Sequence, residues 1–391
     1  MSRLNTDGRP YDVVLFGATG FVGELTARYL AEHAPEGLRW AIAGRSEDRL
    51  RRLRERLPGA DGVGVLRADS GDPASLRDLA GRTRVLATTV GPYVRHGEGL
   101  VAACADAGTD YLDLTGEPEF VDLMYVRYDA RARETGARLV HACGFDSVPH
   151  DLGAYFTVQQ LPEGVPLSID GYVSANAMFS GGTFASALGQ FARGRQMAAA
   201  ARERRRCEPR LVGRRAATPR ARRGSPGRWG LGAAVADHRP ADRAALGEGA
   251  GALRPRLPLP ALRGGAAPAR RGRRGGGSRR AGGGGPTASG PPLVVGPAEA
   301  RDGPSPQKRA RSWFSVRFVG EGGGRRVFTE VAGGDPGYDE TAKMFAEAAL
   351  SLALDDLPPT SGQVTTAVAM GDALIDRLRA AGLRFRVAAI R

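Results

Sequence analysis

The stretch Tyr11–Leu30, YDVVLFGATGFVGELTARYL, decides the fold. Tyr11 to Phe16 is a short, Val-rich apolar run ended by a glycine, the pattern of a buried strand. Gly17, Gly20 and Gly23 follow at three-residue spacing, and Val22, Leu25 and Tyr29 then recur at helical spacing. Strand, glycine turn and helix follow in that order. Gly17 permits a tight turn, Gly20 lets a pyrophosphate approach the backbone, and Gly23 lets the helix pack close to the sheet. With Thr19, Phe21 and Val22 they form a loop whose free N–H groups suit a dinucleotide. A purely structural tight turn is the bland alternative.

Outward from this loop, Arg39–Ala43 is a second strand ending in Gly44-Arg45-Ser46. An acidic residue at that tip would hold a free ribose 2′-hydroxyl. Arg45 and Ser46 instead suit a 2′-phosphate, which argues for NADP over NAD. Ser46 also caps a predicted helix, 47–57. Strands are predicted at 62–68, 85–90, 111–114 and 138–142, with helices between them. Asp69, at the third tip, can accept from the adenine amino group or brace its own loop. Gly91, Pro92 and Tyr93, at the fourth, lie where the nicotinamide half would pass. The fold class is α/β, a doubly wound (Rossmann) parallel sheet over 1–150 covered on both faces. A second α+β domain is predicted from 151–202 and 305–391, as a lid over the crevice. It comprises a helix at 151–160, a strand at 167–177, a helix capped by Ser180–Thr183, and strands at 313–319 and 326–331. Helices at 338–354 and 372–381 and a strand at 383–390 follow.

Residues 203–304 fit neither domain. The 391-residue chain carries +14 overall, but the positive charge is concentrated in this block and the remainder is mildly acidic. Between Met197 and Gln307 there is no Ile, Phe, Tyr, Met, Asn or Lys. So little apolar area predicts disorder. Rich in Arg, Gly, Ala and Pro, the block also reads as GC-rich DNA translated out of frame. A natural low-complexity linker is the alternative. The block has no aromatic residue but Trp229, so a nucleic-acid stacking platform is not expected. Cys104, Cys143 and Cys207 form no C-x-x-C pair, and the five histidines show no metal-ligand spacing. They point to a reducing compartment and no metal. No run is long and apolar enough to span a membrane.

Together, GATGFVG (17–23), AGRS (43–46), VGPY (90–93), DLTGE (113–117), CGFDSVPHDLG (143–153) and GGDPGYDETAKM (333–344) resemble the saccharopine dehydrogenase-like NADP-binding family. The nearest resemblance is to its trans-acting enoyl reductase branch, over roughly 10–202 and 305–388. The resemblance implies use of NADP(H) and reduction of a carbon–carbon double bond in a polyketide-derived lipid chain. It also implies a small-molecule or carrier-bound acyl substrate and a cytoplasmic or membrane-peripheral location.

In a conjugate reduction, hydride goes to the β-carbon, charge gathers on the thioester oxygen, and a proton goes to the α-carbon. Tyr93, Ser147 and His150 are the candidate donors on crevice-facing strand tips. Each has a structural alternative: packing beside the nicotinamide, bracing the loop, or capping the next helix. Asp146 and Asp151 read as residues that orient that loop. No tyrosine has a lysine four residues on, which removes the short-chain alcohol dehydrogenase mechanism. A saccharopine-type amino-acid or imine dehydrogenase and a catalytically silent NADPH sensor or scaffold remain open.

Overall fold

The computed structural model describes residues 8–177, 193–209 and 303–391. Strands β1 (Tyr11–Phe16), β2 (Trp40–Gly44), β3 (Gly64–Arg67), β4 (Thr83–Thr88), β5 (Asp110–Asp113) and β6 (Arg138–Val140) alternate with helices. Those helices are α1 (Phe21–His33), α2 (Glu47–Glu55), α3 (Pro73–Gly81), α4 (Tyr93–His96), α5 (Glu98–Ala107) and α6 (Pro118–Thr135). Helix α7 (Val148–Val158), β7 (Leu167–Asn176), α8 (Gly194–Cys207), α9 (Pro306–Arg309), β8 (Trp313–Gly322) and β9 (Arg325–Gly333) follow. The chain ends with α10 (Asp339–Leu354), β10 (Gly362–Val364), α11 (Thr366–Ala369), α12 (Gly371–Ala380) and β11 (Arg384–Ile390).

The first sheet is parallel with strand order β10-β6-β5-β4-β1-β2-β3. The order reverses between β1 and β4, the switch point where a doubly wound sheet opens its ligand crevice. Successive residues of each strand point to opposite faces. Val13, Leu15, Ile42, Val85 and Leu112 therefore face one core, and Val14, Phe16, Ala41, Leu86 and Tyr111 the other. The second sheet is antiparallel, in the order β11-β9-β8-β7. Helix α7 packs against it, with Leu152 and Phe156 joining Phe314, Val316 and Phe318 in one core. Each such side chain, fully buried, contributes about 1.5–3 kcal/mol.

Two boundaries differ from the sequence reading. The first sheet does not end near residue 150: β10 pairs with β6, Gly362 opposite Arg138, and α10 packs on the sheet with α1. One apolar core runs from the first sheet through α10 and α12 into the second, so the expected division at 150 cuts through it. At three residues, β10 is too short to stand out by pattern; its place is set by Gly362 and Gln363 N–H groups, which bond to Ala137 O and Asp129 Oδ1. The expected irregular block also begins later than residue 203, because α8 continues through Cys207. Arg204 is 5 % exposed, paired with Asp122 and Glu208 and stacked 4.4 Å over the Tyr125 ring. The rest of the block up to residue 302, and the Ser180–Thr183 cap, lie outside the described residues.

Candidate functional site

The glycine loop after β1 forms as read, and each glycine has its own physical reason. Gly17 takes φ +88°, and a Cβ there would meet Thr89 Oγ1 at 2.8 Å. A Cβ on Gly23 would lie 2.3 Å from Gly17 O, so helix and turn touch backbone to backbone. At Gly20 the nearest atom to a Cβ is Gly17 O at 3.4 Å, which the fold tolerates. Packing therefore does not demand a glycine at position 20, and the backbone there is open to close approach by a ligand. Gly20 caps α1 without a side-chain hydrogen bond. The first-turn N–H groups of Phe21, Val22 and Gly23 have no acceptor inside the helix. This open, positive helix start suits a pyrophosphate.

At the β2 tip Gly44 is buried, whereas Arg45 and Ser46 are exposed. Ser46 Oγ accepts from Arg49 N–H at 3.4 Å, the capping bond expected of it. Arg45 has no partner among the described residues. Arg49, which the sequence reading passed over, donates to Thr19 O at 3.3 Å and brings a second cation to the glycine loop. Asp69 accepts from Gly71 N–H at 2.9 Å, the bracing alternative, with one carboxylate oxygen. The open helix start and the unpaired Arg45 fit a dinucleotide bearing a 2′-phosphate.

Tyr93 is corrected by the structure. It is 6 % exposed; its hydroxyl donates to Thr88 O at 3.1 Å and accepts from Leu114 N–H at 3.2 Å. Burial and the nearby Asp113 push its pKa well above the usual tyrosine value. Glu117 takes the Tyr93 and Val94 N–H groups, each at 3.0 Å. The side chain is a strut between β4 and β5, not a proton donor, and its N–H is not open to a cofactor. Gly91 and Pro92 stay exposed at the β4 tip.

The loop after β6 carries the other candidates. It is pinned by the GGDPGYDETAKM motif (333–344): Thr341 Oγ1 accepts from Phe145 N–H at 3.1 Å and donates to Pro336 O at 2.7 Å. Ser147 opens α7, and its hydroxyl makes no capping bond and has no partner among the described residues. His150 has a pKa lowered by burial to about 4, so its imidazole is neutral. The ring packs edge-on against Phe145, centroids 5.5 Å apart, and Nδ1 is buried without a partner among the described residues. The neutral ring donates or accepts at Nδ1 according to its tautomer. Asp151 orients the loop, accepting from Thr366 Oγ1 at 2.8 Å and Ala367 N–H at 2.7 Å. Asp146 differs from its expected bracing role. It has no partner among the described residues, lies against Gly116, and burial raises its pKa.

The DLTGE motif holds a further centre that sequence reasoning left unassigned. Asp113 is fully buried and bonds to His141 Nδ1 at 2.6 Å, Tyr111 OH at 3.0 Å, and the Thr115 and Ala142 N–H groups. Ala142 takes φ +61°, a strained value for a residue with a Cβ. A carboxylate inside the apolar strand DYLD is the signal, since a buried acid requires donors. A cavity of about 500 Å³ lies elsewhere, over the second sheet. Its Glu330 is buried, but bonds from Ser315, Arg317 and Arg386 outweigh that desolvation and hold its pKa at about 2. That cavity is not lined by any crevice loop residue.

Residues 13–140 match the saccharopine dehydrogenase NADP binding domain. Across 96 % of this chain and 97 % of the relative, the sequence is 38 % identical to a candidate trans-acting enoyl reductase of Mycobacterium tuberculosis. The chain belongs to the trans-acting enoyl reductase branch of the saccharopine dehydrogenase-like family. Within the family, a trans-acting enoyl reductase of Mycobacterium leprae is 50 % identical over 39 % of this chain and 36 % of its own length. The fold matches apo saccharopine dehydrogenase (L-Glu forming) of Saccharomyces cerevisiae, with TM-score 0.51 and 10 % identity over 97 % of this chain and all of that one. The protein is an oxidoreductase with an NADP-binding domain. No described helix is long and apolar enough to cross a membrane.

Proposed function

We propose that the chain is an NADPH-dependent enoyl reductase, acting in the cytoplasm on an acyl thioester conjugated to a carbon–carbon double bond. The observation that carries this reading is the near full-length match to a relative named for that activity. The crevice supplies groups of the right kind. NADPH, when bound, provides the hydride that reaches the substrate β-carbon. The N–H groups of Phe21 to Gly23 would hold its pyrophosphate, and Arg45 with Ser46 would hold the 2′-phosphate. The Ser147 hydroxyl donates to the thioester oxygen as charge gathers there. The Asp146 carboxyl, its pKa raised by burial, is the group placed to give a proton to the α-carbon and regain one from water. The unpartnered His150 Nδ1 is placed to hydrogen-bond the bound ligand and orient it.

The test is NADPH oxidation on adding a trans-2-enoyl thioester. Turnover that falls about 10²-fold or more in Asp146→Asn, with NADPH affinity retained, is expected. Turnover on an amino-acid-derived imine but not on the enoyl thioester would overturn the reading.

A further inference from the structure

Helix α8 carries arginine on both sides, and the two sides differ. On the docked side, Arg193 pairs with Glu119 at 2.6 Å and Arg204 with Asp122 and Glu208, around the buried Ala200. Arg195, Arg202 and Arg206 recur at seven- and four-residue spacing on the opposite side, with Arg205 beside them. All four are exposed, and none has an ion-pair partner among the described residues. Glu203, the nearest acid in sequence, lies off the stripe and has no ion-pair partner among the described residues. The stripe is about 16 Å long at the helical rise.

Its place matters. Glu119, which anchors the start of α8, lies two residues after Glu117, whose carboxylate holds the β4-tip loop at the crevice. The stripe therefore begins two residues after the Arg193–Glu119 pair that ties the start of α8 to α6, the helix whose N-cap Glu117 holds the β4-tip loop. Between the arginines the outward face has only Ala198 and Ala199, with no bulky apolar side chain to enter a bilayer and no aromatic ring to stack on a base. Unpaired guanidinium groups in a row of this length complement a row of carboxylates on a partner.

We infer that the Arg195–Arg202–Arg206 face of α8 docks an acidic acyl-carrier domain, which delivers the thioester into the crevice. This rests on the enoyl reductase reading, and its test separates the two. The probes are an acidic bacterial acyl-carrier protein with its phosphopantetheine arm, empty or loaded with a crotonyl group, and crotonyl-N-acetylcysteamine. The variants, in the full chain, are R195E/R202E/R206E and R195K/R202K/R206K. Calorimetry reads binding of the empty carrier protein, which needs no turnover.

Wild type should bind at low salt, and the Glu variant should bind at least about tenfold more weakly. KM for the carrier-bound substrate should rise by the same factor, with kcat/KM for crotonyl-N-acetylcysteamine unchanged. The Lys variant should stay within about threefold of wild type, and added salt should weaken wild-type binding. No carrier binding by wild type, or equal binding by wild type and the Glu variant, overturns the docking site. So does retention on phosphatidylglycerol vesicles or DNA that the Glu variant loses while carrier binding is unchanged. Carrier binding lost in the Glu variant with neither thioester reduced would keep the docking site and remove the enoyl reductase reading.

Discussion

The loop after β1 and the loop after β4 sit side by side on the carboxyl edge of one sheet, joined by Thr89 Oγ1 donating to Gly17 O at 3.0 Å. They are held in opposite ways. The first leaves the N–H groups at the start of α1 without a capping side chain. The second is largely paired: Glu117 takes the Tyr93 and Val94 N–H groups, and the Tyr93 hydroxyl both donates and accepts. Adjacent strand tips at a switch point are therefore not equally available to a ligand. A loop whose groups are paired serves as wall, and one with unpaired N–H groups is free to bind.

The sharpest break of this comparison is within the glycine loop. Gly23→Ala places a Cβ 2.3 Å from Gly17 O and should cost about 3 kcal/mol, read as a lowered melting temperature without ligand. Gly20→Ala should leave that melting temperature nearly unchanged while removing the stabilisation by NADPH. Equal melting temperatures for both variants would show that the two glycines are not distinct.

Tyr93→Phe comes next. It leaves the Leu114 N–H and Thr88 O without their partner and should cost about 1–3 kcal/mol of stability. Turnover should change by less than about tenfold, whereas a proton donor would lose 10²-fold or more. A rate collapse at unchanged stability would return Tyr93 to the chemistry.

The smallest effect concerns the β6 tip. His150 has a folded pKa of about 4, below its ordinary 6.5, so the unfolded chain takes up the proton first as pH falls. Its contribution is fully present above about pH 6.5 and lost as pH falls toward 4. His150→Phe should remove roughly 2 kcal/mol of the acid-side slope in that window, read from denaturant midpoints at pH 7 and 4.5. An unchanged slope would mean that His150 is not held neutral.

Sequence was a good guide where local backbone chemistry decides. The strand bounded by Tyr11 and Phe16 is the one observed, and the Ser46 cap and the glycine turn follow from residue types within a few positions. It failed where partners are distant. Nothing near Tyr93 announces that Leu114 and Thr88 will consume its hydroxyl, nor does Asp113 reveal that His141 lies 2.6 Å away. Strand β10 and the Phe145–Thr341 bond join segments about two hundred residues apart, beyond any periodicity. Asp146 departs from local expectation: an acid in a turn normally bonds its own loop, and this one has no partner among the described residues.

The most direct test of the open half of the edge is calorimetric titration of wild type and Arg45→Ala with NADPH and with NADH. Wild type should bind NADPH more tightly than NADH. The substitution should weaken NADPH by about 1–3 kcal/mol and leave NADH nearly unchanged. Equal losses for the two cofactors, or equal wild-type affinities, would contradict the account.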